Sequence, residues 1–390
     1  MDNILVGYDN SGKKLELNFM HSELSNRHIY IPGKSGEGKT YSVQHLLKEA
    51  SNCGLSAVLF DRANAFSESQ IEQDFRDSIG NKLVFVDIRK TKVPINPFRL
   101  YTVDENGTRE NAIEAASRIS NLFSPVFGFG KQQDHVIYDF FRLFFIAQSG
   151  VETSTNLTSD EKTAILSIRS QIEENIQPLS IFRGYLKNDN NTLSDSQTRV
   201  LSKMAVVIDM ELFEFKPFDW DKLIYSDGKI IVIELSGFQS DIRQIVLECM
   251  LWDLWEHARR RGSAQKPFIT VFDECQDMNF TDDSPATKIL TQGRKFGFSA
   301  WFITQFSRGK FDETTIGNLE QAATKLFFKP TDKDMFDIAK TIDREDPKLW
   351  LPYLKGLKKG QCIVKGCFVK QSKSTRSAEY SPIILNIPAL

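Results

Sequence analysis

The stretch from Gly33 to Thr40 carries the residue types that proteins use to hold a chain of phosphates. It reads GKSGEGKT and fits the spacing GxxxxGK[ST] without a mismatch. Glycines allow successive backbone N–H groups to point at one anion, and a helix beginning here adds its positive end. Lys39 would reach the β- and γ-phosphates, while the Thr40 hydroxyl would complete the shell of a Mg²⁺ ion. The predicted ATP-binding residues are Gly33, Lys34, Ser35, Gly36, Glu37, Gly38, Lys39, Thr40 and Tyr41.

A pair of acidic residues follows an apolar run in KPFITVFDECQD. Hydrolysis needs carboxylates on a strand beside the one that leads into the phosphate loop. Asp273 would hold Mg²⁺ through water, and Glu274 would act as general base on the attacking water. The alternative is an ordinary acidic strand end. Asp61 and Asp87 also end apolar runs, but they have no adjacent glutamate and are weaker candidates.

The segment ILTQGRKFGFSAWFITQF places polar residues at both ends of a further predicted strand. Gln305, at the end of this strand, is expected to contact the γ-phosphate or the attacking water as a sensor. Arg294 and Lys295 precede the strand, where the nucleotide of a neighbouring subunit could be reached. Arg294 is therefore a candidate arginine finger, with Arg308 as its rival. An exposed ion pair, which stabilises little, is the alternative for Arg294.

Seven short apolar runs alternate with helical patterns and must position these side chains. They lie at 28–33, 55–61, 82–88, 229–236, 267–274, 299–305 and 323–330. Nearly continuous apolar strands are typical of a sheet that is buried on both faces. Their alternation with helices indicates βαβ units. We therefore predict an α/β fold with a mostly parallel sheet.

Helical patterns replace this alternation in the middle of the chain, from 109 to 218. We predict that this region is a helical insertion into an α/β core made of 28–108 and 219–390. The insertion carries no catalytic constellation, so packing, subunit contacts or a lid are its expected roles. Residues 1–27 are predicted to be a short β-hairpin or extension with DNSG as its turn.

Composition limits the possible partners. The balance of 41% hydrophobic and 26% charged residues is that of a globular protein, and the 30 phenylalanines predict an aromatic core or subunit interface. A net charge of −2 means that any nucleic-acid contact must come from a local basic surface. The candidate lysines, each of which has a solvated loop charge as its alternative, are those of KTK at 90–92, Lys131, Lys355, Lys358 and Lys359.

Five scattered cysteines indicate reduced thiols in a cytoplasmic protein. Cys362 and Cys367 are close in CIVKGC, but four strand-like residues separate them and no second pair exists, which argues against a zinc site. No apolar run is long enough for a membrane helix, and the N-terminus lacks the pattern of a secretory signal.

Together these motifs resemble the HerA/FtsK superfamily of RecA-like P-loop motors. The matching elements occur in the expected order, and VPINPF at 93–98 is similar to the Asn-Pro element after the third strand of HerA-like and type IV secretion ATPases. The chain looks most similar to compact HerA-like motors of bacterial anti-phage defence, including the ATPase portion of the DptH protein. HerA proteins carry a β-barrel before the motor, whereas 27 residues precede the first core strand here, so a partner is expected to supply that docking. QFSRG stands where the family usually has Gln-Arg-Pro.

The resemblance implies a hexameric ring with ATP between subunits and double-stranded DNA in the pore. It makes 33–40 the Walker A motif, Asp273 and Glu274 the Walker B pair, Gln305 the sensor and Arg294 a residue acting in trans. The predicted function is an ATP-hydrolysing motor that translocates or remodels double-stranded DNA, with a nuclease or other effector partner, in bacterial defence or DNA processing. The alternatives are a nucleotide-gated oligomeric scaffold that activates an effector, and a conjugation or type IV secretion-type ATPase.

Overall fold

The chain folds into two compact units. In this computed structural model the described residues are 3–102, 107–150, 157–188, 193–214, 218–305, 311–371, 376–379 and 381–390. The α/β unit consists of Met1–Ile88, Asp219–Gly237 and Arg261–Leu390. The helical unit consists of Arg89–Phe218 and Phe238–Arg260. The predicted division of the chain into an N-terminal hairpin at 1–27, an ATPase core at 28–108 and 219–390, and a helical insertion at 109–218 stays a prediction.

All strands described here belong to the α/β unit. Their bounds are β1 Ile4–Asp9, β2 Lys14–Leu17, β3 Ile29–Pro32, β4 Ala57–Asp61, β5 Leu83–Asp87, β6 Ile230–Glu234, β7 Phe268–Phe272, β8 Phe298–Thr304, β9 Thr324–Phe327, β10 Gln361–Lys365, β11 Phe368–Gln371, β12 Arg376–Glu379 and β13 Ile383–Asn386. They form one sheet in the order β12-β11-β2-β1-β13-β10-β9-β3-β8-β7-β4-β6-β5.

The seven strands predicted from apolar runs form the parallel part of this sheet, from β9 to β5. Strands β4 and β7 are buried at every residue, as their continuous apolar sequences predict. The predicted α/β fold is confirmed. One detail differs, because β8 lies between β3 and β7, so the acidic strand is one place further from the phosphate-loop strand than expected.

The remaining strands extend the sheet antiparallel beyond β9. The predicted N-terminal hairpin is present as β1 and β2. In its turn the Asp9 carboxylate accepts hydrogen bonds from the backbone N–H groups of Ser11 at 2.8 Å and Lys13 at 2.9 Å, and Gly12 has a φ of 78°. Strand β13 pairs with both β1 and β10, so the two chain ends lie next to each other in the sheet.

Helices of the α/β unit cover this sheet, and the core lies between the two layers. Side chains from β3, β4 and β7 pack there with Val43, Leu46 and Leu47 of the first helix. The helices are α1 Lys39–Asn52, α2 Gln73–Ile79, α8 Asp221–Ile224, α10 Pro285–Gln292, α11 Glu313–Glu320, α12 Met335–Ile342 and α13 Pro347–Gly356. The helix predicted after the phosphate loop is α1, and it is followed by Gly54, whose φ of 77° suits glycine.

The helical unit has an aromatic core. Its helices are α3 Ala112–Phe127, α4 Lys131–Ser149, α5 Ser159–Glu173, α6 Pro178–Asn188, α7 Asp195–Asp209 and nearly all of α9 Ser240–Arg261. The rings of Phe98 and Phe141 stack with centroids 5.4 Å apart, and the ring of Phe182 stacks on Phe141 at 5.9 Å. The aromatic core predicted from the phenylalanine count is confirmed. In the part of the chain described here, no helix combines the length and apolar character needed to cross a membrane.

Candidate active site

The phosphate-loop sequence lies between the buried strand β3 and helix α1. Gly36 and Gly38 have φ values of 84° and 102°, which other residues rarely adopt. A side chain at Gly33 would place its Cβ 2.5 Å from the Cβ of Phe328, so only glycine fits there. The N–H of Lys34 donates to the carbonyl of Lys329 at 3.0 Å. These constraints hold the loop in a defined shape at the carboxyl end of the sheet.

The Lys39 ammonium group folds back onto the loop. Its Nζ donates to the carbonyl oxygens of Gly33 at 2.6 Å and Lys34 at 2.9 Å, and the side chain is buried. Burial lowers the pKa of Lys39, and the negative charges of Glu274 and Asp273 oppose this effect. The lysine and the two acidic residues therefore share one electrostatic site.

The other predicted loop residues have separate roles in the structure. The Lys34 ammonium pairs with the Glu37 carboxylate at 3.1 Å. Thr40 lies in the first turn of α1, half-buried, and Ser35 lies in the turn before it. The hydroxyl of Tyr41 accepts a hydrogen bond from the backbone N–H of Leu390 at 2.8 Å, so it anchors the C-terminal segment.

Asp273 is a buried carboxylate with one uncompensated oxygen. It follows β7 directly, is 4% exposed, and its Oδ2 atom has no hydrogen-bond partner among the described residues. Burial raises the pKa of Asp273 to about 7, with contributions from the charges of Glu274 and Asp61, while Lys39 lowers it. Such an oxygen fits a hard cation, which would favour the charged form of the carboxylate. With the Thr40 hydroxyl it provides oxygen ligands of the kind that Mg²⁺ requires.

Glu274 is held by amide groups on both of its carboxylate oxygens. The Gln305 side-chain amide donates to Oε1, and the Gln276 side-chain amide donates to Oε2. Gln276 is oriented in turn by the Thr304 hydroxyl, which donates to its Oε1 at 2.9 Å. Glu274 also has a φ of 52°, a conformation that costs a non-glycine residue about 1–3 kcal/mol. The turn after β7 therefore holds the Glu274 carboxylate in position with a strained backbone.

The sequence predicts Glu274 and Gln305 as residues of the site and Asp61 as a weaker candidate, whereas Gln276 was missed. Gln276 lies two residues after Glu274 in DECQD, and a polar amide so close to a candidate base was the available signal. Asp61 ends β4, next to β7 in the sheet. Its carboxylate accepts from the N–H groups of Ala65 and Phe66 at 3.0 Å each, so it shapes the loop after β4.

Arg294 lies far from the phosphate loop of its own chain. It is exposed in the turn before β8, and its guanidinium donates to the carbonyl of Ser25. The loop lies at the opposite end of β8, about 20 Å away for a strand of this length. Lys295 is exposed in the same turn, and Arg308 lies outside the described residues.

The candidate DNA-contacting lysines are divided between the two units. In the helical unit, Lys92 pairs with Glu211 at 3.1 Å, and Lys131 is exposed at the start of α4. In the α/β unit, Lys355, Lys358 and Lys359 are exposed around the end of α13. The last two adjoin Gly360, whose N–H donates to the carbonyl of Glu37 in the phosphate loop at 3.1 Å.

Residues 5–254 match the family described as Helicase HerA, central domain. Two proteins named DNA double-strand break repair helicase HerA are similar along most of the chain. The protein of Sulfurisphaera tokodaii is 24% identical over 361 residues, covering 88% of this chain and 63% of that protein. The protein of Saccharolobus solfataricus is 23% identical over 384 residues, covering 92% and 65%. The chain thus spans less than two thirds of the length of these relatives.

Two solved structures share the fold. VirB4 of Thermoanaerobacter pseudethanolicus matches with a TM-score of 0.62 at 14% identity, over 100% of this chain and 97% of that one. The plasmid coupling protein TrwB, in complex with ADP and Mg²⁺, matches with a TM-score of 0.56 at 13% identity, over 93% and 86%. The RecA-like P-loop fold expected from the sequence is confirmed by this similarity.

Proposed function

This chain belongs to the HerA helicase central-domain family, and on that premise we propose that it hydrolyses ATP to translocate or remodel double-stranded DNA. One observation carries the proposal. Glu274 accepts a hydrogen bond from Gln305 at the end of β8, and β8 pairs with β3, the strand that leads into the phosphate loop, so the acidic strand end and the loop lie at one site. A loop that only binds a nucleotide does not need Glu274 beside it, a residue with a strained backbone whose two carboxylate oxygens are both hydrogen-bonded.

Nucleotide binding uses the loop and the first turn of α1. The backbone N–H groups of 33–40 hold the phosphates, and Lys39 exchanges its contacts with Gly33 and Lys34 for phosphate oxygens. Thr40 and Asp273 are the residues that would hold Mg²⁺. When bound, that ion would neutralise charge developing on the phosphates. The TrwB complex with ADP and Mg²⁺ supports this assignment by similarity of fold.

Hydrolysis depends on Glu274 and Gln305. Glu274 accepts a proton from the water that attacks the γ-phosphate. The same carboxylate accepts from Gln305 and Gln276 here, so those amides orient the base before reaction. Gln305 also lies at the tip of β8, where a sensor of the γ-phosphate would be placed.

A ring of subunits completes the site. Arg294 lies at the amino end of β8, away from the phosphate loop of its own chain, which supports a role in the site of a neighbouring copy. There it would stabilise charge on the transferred phosphate group. We propose a hexamer, with double-stranded DNA passing through it and the lysines around the end of α13 as one contact.

A nuclease or other effector is the proposed partner, in bacterial defence or DNA processing. The relatives named as double-strand break repair helicases support a DNA substrate. We propose that the protein acts on this substrate in the cytoplasm. A nucleotide-gated scaffold is the second candidate, favoured by the net charge of −2, because a protein that tracks DNA usually presents a basic surface.

ATP hydrolysis with and without double-stranded DNA tests the proposal. At low salt, where phosphate contacts are strong, we expect DNA to stimulate turnover by the unmodified protein. Lys39→Ala removes the phosphate contact and Glu274→Gln removes the base, so both abolish turnover. Lys13→Ala, an exposed change in the N-terminal hairpin, is the matched control and leaves turnover unchanged. Turnover that DNA does not stimulate, from a protein that does not bind DNA at low salt, contradicts a DNA motor.

A further inference from the structure

Three side chains with metal-binding atoms meet beside β2 and β11 in the antiparallel part of the sheet, outside the phosphate-loop site. They are His21 and Glu23, in the connection from β2 to β3, and Cys367, in the turn between β10 and β11. Topology explains the meeting. Strand β11 pairs antiparallel with β2, so the start of β11 lies beside the end of β2. Residues 346 positions apart in the sequence are thereby brought into contact.

The distances suit a small cation bound by mixed ligands. One potential ligand atom from each residue lies within 4.8 Å of the other two. The Cys367 Sγ and His21 Nδ1 atoms are 3.6 Å apart. Bonds of about 2.3 Å from zinc to sulfur and about 2.0 Å to nitrogen give about 3.5 Å between two ligands at a tetrahedral angle. A sulfur and a nitrogen of this pair could thus bind one ion with little rearrangement.

The burial and charge of the three residues also fit a dication. Cys367 is 6% exposed, His21 is half-buried and Glu23 is exposed, so the cluster opens to solvent on one side. A thiolate and a carboxylate together neutralise two positive charges, and the imidazole adds a neutral ligand. Binding through Nδ1 would replace two weak interactions of that atom, the hydrogen bond that the Glu23 backbone N–H donates to it at 3.3 Å and the contact with the Cys367 Sγ atom at 3.6 Å.

We propose that His21, Glu23 and Cys367 form a site for a divalent transition metal of the zinc class, with water at the fourth position. Sulfur, nitrogen and oxygen are all ligand atoms that zinc binds, and the distance between Cys367 Sγ and His21 Nδ1 suits a tetrahedral site. Cys362 is close to Cys367 in the sequence, but it is fully buried in the sheet core and is not a ligand of the proposed site. The metal links the segment after β2 to the turn before β11, so it stabilises the antiparallel extension. The proposal is independent of ATP hydrolysis.

Cobalt(II) provides a direct probe, because a Co²⁺–thiolate bond absorbs in the near ultraviolet. We expect the full chain, without nucleotide, to bind one equivalent of Co²⁺ with this absorption and to release it to Zn²⁺. Cys367→Ser removes the absorption, whereas Cys53→Ser, which changes a half-buried cysteine of the same unit, retains it. Zn²⁺ raises the thermal midpoint of the unmodified protein and leaves that of Cys367→Ser unchanged.

Glu23→Gln is the substitution of the three that should disturb folding least, because the Glu23 side chain is exposed. It is expected to weaken Zn²⁺ binding, measured by calorimetry, at least about tenfold. His21→Ala weakens binding similarly, and His135→Ala, an exposed histidine of the helical unit, does not. The proposal is overturned if the unmodified protein shows no thiolate–Co²⁺ absorption, or if Cys367→Ser shows the same absorption.

Discussion

At the scale of single residues, we expect the position of the Glu274 carboxylate to decide whether the site hydrolyses ATP. Its two carboxylate oxygens are occupied by the amides of Gln276 and Gln305, and its backbone is strained. Strain of this kind persists only where the surroundings fix it, and it is concentrated at active sites. We therefore expect Gln276 to be a positioning residue, which acts on the reaction through Glu274.

Gln276→Ala is expected to lower the turnover number for ATP about tenfold and to leave nucleotide affinity unchanged, because it misplaces the base without touching the phosphate loop. Steady-state turnover and nucleotide titration measure the two effects separately. In a Glu274→Asp background, which keeps a displaced carboxylate and measurable turnover, the same change is expected to have little further effect, since the residue acts through the Glu274 carboxylate. An additional loss in that background would assign Gln276 a role of its own.

The residues that the sequence could predict are those of continuous motifs. Lys39, Asp273 and Glu274 were found because each belongs to a short pattern whose chemistry needs that spacing. Gln305 was found because it ends a strand. The position of Gln276 next to Glu274 in DECQD was a signal, but the contact itself could not be predicted, because it depends on side-chain geometry in a turn whose strained backbone no local pattern encodes.

At the scale of elements, a buried ion pair fixes the start of the helical unit. The Arg118 guanidinium on α3 pairs with the Glu110 carboxylate at 2.9 Å, and both side chains are nearly inaccessible to solvent. The same guanidinium donates to the carbonyl oxygens of Pro97 at 2.8 Å and Arg99 at 2.9 Å. It therefore connects the segment containing VPINPF to the first helix of this unit.

Arg118→Met is expected to destabilise the helical unit by about 3 kcal/mol or more, because it leaves the Glu110 carboxylate buried and unpaired. The measurement is a urea titration of the full chain followed by circular dichroism. Arg199→Met on α7 is the matched control, since that arginine is exposed, and it should shift the midpoint little. Pairing Arg118→Met with Glu110→Gln is expected to recover part of the loss, and equal effects of the two Arg→Met variants would contradict this account.

Most elements were predictable because their signals are local. The seven apolar runs correspond to the seven parallel strands of the structure, and the helical patterns between 109 and 218 correspond to helices. The order of strands was harder to predict, because pairing joins distant segments. The insertion of β8 between β3 and β7 and the pairing of β13 with β1 follow from long-range packing that no single run specifies.

At the scale of the whole molecule, the proposed trans role of Arg294 requires subunits to share sites. Arg294→Ala and Lys39→Ala are each expected to be inactive alone. Mixed in one assembly they restore sites at which Lys39 of one copy meets Arg294 of the next, so part of the ATPase activity returns. Light scattering with and without ATP reports the mass of a hexamer. Inactive mixtures that still assemble would contradict a finger at Arg294.

The central claim is that ATP hydrolysis drives movement along double-stranded DNA. Displacement of a third strand from a DNA triplex measures that movement directly, because only a protein that travels along the duplex removes the strand. We predict displacement by the unmodified protein with ATP, and none by Glu274→Gln, which still binds ATP and DNA. A protein whose ATPase activity is stimulated by DNA but which leaves the triplex intact would contradict the motor and favour the nucleotide-gated scaffold.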